Sequence, residues 1–154
     1  MSETTALPEL RILLSVIDCA FDKRSWHGAN LVSAVRGVDA QSAARRIRGR
    51  KCIWEQVLHA AYWKHAVLNK LAGTTPFERR GSNWPRMPGR ADASHWKTDL
   101  ELLRGTHRRL REAIISLPRG RLDEQSIWLI HGAAAHDLYH AGQIKLLRKL
   151  LIAD

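Results

Sequence analysis

His136 and His140 stand four residues apart in the stretch HDLYHAGQI (136–144), the spacing at which successive turns of a helix aim two imidazoles at one metal ion. Two histidines leave a divalent ion short of the three or four protein ligands its sites usually carry. A third must come from another helix, and His59 is the candidate. With eight histidines among 154 residues, chance alone can supply one such pair. The context carries more weight: both fall mid-helix on a core-facing stripe, where an imidazole pair without partners is costly to bury. Spacing leaves two readings open, metal ligation or a singly hydrogen-bonded core histidine at each position.

Other residues near these positions could serve the same chemistry. Glu55 and Trp63 flank His59 four residues to either side. Glu55 and Asp137 are candidates for the outer hydrogen bonds that ligating imidazoles usually need, and Glu55 could alternatively be a general base. Gln143, one turn beyond His140, could orient a ligand, hold a bound molecule or tie two helices as a buried amide. His107 lies on an apolar stripe and reads as a core or pocket histidine in preference to a fourth ligand. His131 points about 140° away from His136 on an ideal helical wheel, toward a dimer or helix contact. Trp54, Trp63, Trp96 and Trp128 read as core aromatics, and Trp26 as a packing residue or the mouth of a pocket.

Four long helical patterns have to position these groups, and almost no β-branched alternation suggests strands. The first runs from Glu9 to Phe21, with Leu10, Leu13, Leu14, Ile17 and Phe21 on one face. A minor helix follows at Asn30–Val35, and Asp39 caps a short turn through Ala44. The second long helix extends from Cys52 to Gly73, its interior stripe formed by Trp54 or Glu55, Leu58, His59, Tyr62, Ala66 and Asn69. The segment GTTPFERRGSNWPRMPGRAD (73–92) is a loop long enough to cross a bundle. The third helix, Ala93–Leu117, carries Trp96, Leu100, Leu103, His107, Leu110 and Ile114 and stops at Pro118 and Gly120. The fourth, Asp123–Leu151, places Leu129, Ala133, His136, His140, Gln143 and Leu147 in one stripe. Ala134, Ala135, Leu138, Ile144, Leu146 and Leu150 lie off it. A helix apolar on several sides needs cover on several sides, so a homodimer is expected.

The length suits a single domain, residues 1–154, with a core of its own. A formal charge of +10 suits an anionic partner, yet the cations are scattered. Arg45, Arg46, Arg48, Arg50 and Lys51 form one cluster, and Arg104, Arg108, Arg109 and Arg111 another. Neither is interleaved with aromatics that could stack bases, so a solvated basic surface is read ahead of nucleic acid. Cys19 and Cys52 show no CxxC spacing, which argues against a disulfide framework. The N-terminus lacks the pattern of an export signal, and no apolar run approaches a membrane span. A cytoplasmic location with no membrane contact is the expectation.

The segments WHGANL (26–31), IWEQVLHAAYWK (53–64), Trp84-Pro85, HGAAAHDLYHAGQI (131–144) and LLRKLL (146–151) together resemble the DinB/YfiT-like superfamily of metal-dependent proteins. The likeness spans almost the whole chain and is most specific in its HDLYH motif. It implies an all-α four-helix bundle with a long crossover between the second and third helices. It also implies a divalent metal ion, zinc or nickel, on three histidines that correspond by motif to His59, His136 and His140. No single reaction follows, since members include thiol-dependent transferases and isomerases, and a shared fold does not fix function.

Three neutral imidazoles leave at least one position open on such an ion. A water there can fall to a pKa of about 7, and a thiol is deprotonated outright. The expectation is therefore transfer of a low-molecular-weight thiol or hydrolysis, with an anionic cosubstrate favoured by the surrounding positive charge. The alternative is a non-enzymatic, dimeric, stress-related metal protein whose basic surface meets nucleic acid or protein.

Overall fold

Asn30, Asp39 and Asp92 each turn a side-chain oxygen back onto a backbone N–H three residues later, and each starts a helix at the position that this capping geometry dictates. The computed structural model describes residues 8–153. Residues 1–7, on which the reading of an export signal partly rested, lie outside them. The elements are α1 (Pro8–Phe21), α2 (Leu31–Val35), α3 (Ala40–Ala44), α4 (Ile53–Ala72), α5 (Ala93–Ile115), a single 3-10 turn (Arg119–Arg121) and α6 (Glu124–Ala153), with no strand among the described residues. Gly73 ends α4 at φ 104°, a conformation that glycine adopts without a steric penalty. No helix among the described residues is long and apolar enough to cross a membrane, and both cysteines are free thiols.

The four long helices form a ring in which α1 and α4 each pack against both α5 and α6. Contacts between α4 and α5 rise together along the two chains: Trp54 meets Trp96 and Asp99, and Lys64 meets His107. These helices are therefore parallel. A 20-residue α4 is about 30 Å long, and the chain must travel back over that length before α5 can begin. Residues 73–92 make this return. Contacts between α4 and α6 run in opposite order, Gln56 to His140 and His59 to His136, so α6 is antiparallel to α4.

Burial on α4 differs from the single stripe expected. Residues 52–61 are buried without interruption, because α3, α5 and α6 all pack on this helix. Tyr62, Ala66 and Asn69, assigned to the interior, are only half-buried, whereas Lys64, His65 and Leu68 are inside. The reading of four core tryptophans needs the same correction. Trp54 and Trp96 are buried, but Trp63 is 42% and Trp128 72% exposed, since both lie on the outer side of the α4–α6 seam.

Lys64 is buried because a buried carboxylate meets it. Its ammonium donates to Asp137 Oδ2 at 2.5 Å, approaches His107 Nδ1 at 3.3 Å and lies over the Phe21 ring. Both members of the pair are almost fully enclosed. Removing one partner from such a pair strands a charge, while replacing both by apolar groups restores a neutral core. Asp137→Ala is therefore expected to lower stability by about 3–5 kcal/mol. The double variant Lys64→Met/Asp137→Leu should recover most of that loss, as read from urea unfolding.

Candidate metal centre

Helical periodicity stacks His136 and His140 on successive turns of α6, and the antiparallel packing of α4 brings His59 opposite them. The imidazoles converge on their Nε2 atoms: His136 Nε2 lies 3.1 Å from His59 Nε2 and 3.1 Å from His140 Nε2. All three residues offer a ligand atom within 4.8 Å of the others. His59 and His140 are buried and His136 is half-buried.

The outward nitrogens explain this convergence. His59 Nδ1–H donates to the Asn83 backbone carbonyl at 2.5 Å, and His140 Nδ1–H donates to Gln56 Oε1. Neither acceptor can supply a proton, so each hydrogen bond fixes the tautomer and leaves an Nε2 lone pair facing inward. One proton on His136 Nε2 could serve only one of those two lone pairs. The other would face a buried nitrogen without a donor, which is costly. A divalent cation resolves the conflict. Tetrahedral bonds of about 2.0–2.1 Å hold ligand nitrogens roughly 3.3–3.4 Å apart, close to the 3.1 Å observed. The donor set fits a divalent ion.

Electrostatics keep the triad in its ligating form. Burial, then the charges of His59 and Lys64, push His136 down to about 4. Burial, then His136 and His59, push His140 down to about 3. Burial also lowers His59, against the opposing pull of its bond to Asn83. Neutral imidazole is the form that binds metal.

The crossover forms one wall of the site. Trp84 stacks on His59 with ring centres 3.9 Å apart and planes 14° from parallel. Asn83, at φ 58°, also accepts the Trp63 indole N–H on its side-chain oxygen at 2.9 Å. Sequence reasoning missed Asn83, Trp84 as a wall of the triad, and Gln56. Gln56 carried a signal, three residues before His59 on the same helix. Asn83 acts through a backbone carbonyl, which every residue has, so only its tolerance of left-handed φ hinted at its place.

The remaining candidates sit as follows. Glu55 accepts from Cys52 N, Arg46 and Lys51, which makes it the capping carboxylate of α4, and these ties turn it away from the histidines. Asp137 is bound to Lys64 and not to an imidazole, with its Oδ1 buried and without a hydrogen-bond partner among the described residues. His107 stacks on Phe21 and faces Lys64 and Asp18, in the core and outside the triad. Trp63 borders a cavity beside His136, and Gln143 lines another beside His140.

A ring of four long helices carries, between two of them, a histidine triad that could hold a metal ion. A family model described as the DinB superfamily matches residues 24–144, and the chain belongs to that superfamily. No curated protein and no solved structure matches it.

Removing an outer hydrogen-bond partner typically weakens metal binding by about 10–100-fold, and Gln56→Leu should do so here, measured by chelator competition. Linkage gives a pH signature. An unfolded histidine titrates near 6.5, whereas native His136 and His140 stay neutral to about 4 and about 3. Below 6.5 the unfolded chain binds protons that the native one refuses, so this contribution holds above 6.5 and is lost as pH falls. Asp137, raised by burial to about 6, acts in the opposite sense, its contribution being lost as pH rises. His140→Gln isolates one histidine: the metal-free variant should lose less stability than metal-free wild type between about pH 6.5 and about pH 4.

Proposed function

We propose that His59, His136 and His140 hold one divalent ion, zinc or nickel, with at least one coordination position open, and that the site serves low-molecular-weight thiol transfer or hydrolysis. The observation that carries this reading is the pair of Nδ1 hydrogen bonds that turns two Nε2 lone pairs onto a third imidazole. Among the described residues the cluster comprises these three ligands, fewer than a closed structural site uses. A bound divalent ion supplies Lewis acidity that lowers the pKa of a thiol or a water.

The chain's own residues supply position and access. Trp84 shields one face of His59. His136 borders a cavity of about 220 Å3, walled by Trp63, Val67, Trp128 and Ala133, and His140 borders another of about 240 Å3. Both cavities are wide enough for small organic groups. Arg50 and Lys51 line the second, which supports an anionic cosubstrate.

The basic clusters lend less to a nucleic-acid reading. Arg46, Lys51, Arg104, Arg109 and Arg111 each pair with a carboxylate, so much of their charge is spent within the fold. The homodimer belongs to the proposal too. Trp128, Ala135 and Leu146 stand exposed along one line of α6, a face that a second copy would cover.

Protein purified without a histidine tag should carry about one metal equivalent per chain, and His140→Ala should remove it. Less than about half an equivalent, or unchanged content in the variant, contradicts the site. In the cobalt-substituted protein, a small thiol should alter the d–d spectrum if thiols enter the open position. A spectrum unchanged by thiols rejects the transferase branch and leaves hydrolysis.

A further inference from the structure

The cavity beside His140 joins that ligand and its Trp84 wall to side chains that the triad does not use. Arg50, Lys51, Trp84, Gln143 and His140 share its wall, and no acidic side chain lines it. Glu55, the carboxylate bonded to Lys51, is turned onto Cys52 N and Arg46. Lys51 is held by Glu55 at 3.2 Å and lies 5.1 Å above the Trp84 ring. The Arg50 side chain has no hydrogen bond or ion pair among the described residues, and neither has the Gln143 carboxamide.

Arg50 owes its position to a tight turn. Arg48 and Gly49 adopt left-handed conformations at φ 47° and 72°, and Arg50 N–H closes the turn on Ile47 O at 2.9 Å. Ile47 is itself buried, which anchors the turn to the core. Arg50 therefore lines the cavity from a backbone held by the turn, and its guanidinium donors are unspent among the described residues. A planar fork of N–H donors matches the two oxygens of a carboxylate, and the Gln143 amide, in the same lining, can add a donor. Trp84, stacked on His59 and with Lys51 Nζ over its ring, lines the same cavity and places that second cation close to Arg50 in the lining.

We propose that this cavity is a carboxylate subsite, with Arg50 as its recognition residue, and that it takes the anionic end of the small thiol or other ligand whose reacting end faces the triad. The inference rests on the open-triad reading for its role, but the carboxylate subsite can be tested without metal. One ligand then spans two environments: its carboxylate meets Arg50 and Gln143, and its far end lies against His140.

The first arm is calorimetric titration of metal-free protein with succinate. Saturable binding is expected, weakened about tenfold or more by Arg50→Gln and unchanged by Lys70→Gln, which alters the cavity on the His136 side. Inorganic phosphate, a non-planar anion, should bind more weakly than succinate. No saturable binding of succinate, or equal binding by Arg50→Gln, overturns the subsite. Phosphate binding as tightly as succinate overturns its carboxylate character.

The second arm compares mercaptosuccinate with 2-mercaptoethanol on the cobalt-loaded protein. Arg50→Gln should weaken the spectral response to mercaptosuccinate about tenfold and leave that to 2-mercaptoethanol unchanged. Equal weakening of both would mean that Arg50 acts through the triad and would overturn its role in recognition. If cobalt fails to load on the triad, the metal reading falls while the succinate result still decides the subsite. Circular dichroism of Arg50→Gln, an exposed position, confirms that the fold is intact.

Discussion

Two carbonyl oxygens hold the centre of this molecule in place. The Asn83 backbone oxygen and the Gln56 side-chain oxygen each take an Nδ1–H, and that choice turns the opposite nitrogen of each ring inward. Burial then makes protonation unfavourable, as the lowered His136 and His140 values show. An array of buried lone pairs facing one another is unstable without a cation. The triad's capacity to hold a metal ion is thus set by its outer shell as much as by the imidazoles themselves, in keeping with the general role of such partners.

The topology serves the same constraint. Because α4 and α5 are parallel, the chain must return along the bundle, and the returning segment passes over the triad. Trp84 and Asn83 are contributed by that segment. The crossover required by connectivity becomes a wall of the site, and Asn83 ties it to α4 through both His59 and Trp63. The charge of Lys64, buried with its partner Asp137, further disfavours an imidazolium at His136. Two polar systems share the α4–α6 interface: the first pairs a lysine with a carboxylate, and the second turns inward lone pairs that a cation would satisfy.

Much of the scaffold was legible in the residues. Asp39 as a cap, the glycine after α4 and the proline-rich crossover marked the helices and their order, because these are local effects that a short segment decides; the caps at Asn30 and Asp92 emerged only in the structure. The triad was readable from the four-residue spacing in HDLYH and from the resemblance of VLHAAYW. Features set by long-range packing were harder to read. Lys64 as an interior residue could not be inferred without its partner 73 positions away. Trp63 and Trp128 looked like core residues by type, and their exposure follows from where α4 and α6 meet. Glu55 resembled a helper of His59, yet the α4 N-terminus and two cations claim its carboxylate.

The central claim is that three imidazoles share one ion through their Nε2 atoms. X-ray absorption at the edge of the bound metal tests it most directly. The account predicts a first shell containing three imidazole nitrogens at about 2.0–2.1 Å, with their outer-ring scattering resolved, and at least one further light atom. A sulfur-containing shell in protein free of added thiol, a shell of oxygens alone, or a shell unaltered by His59→Ala would contradict it.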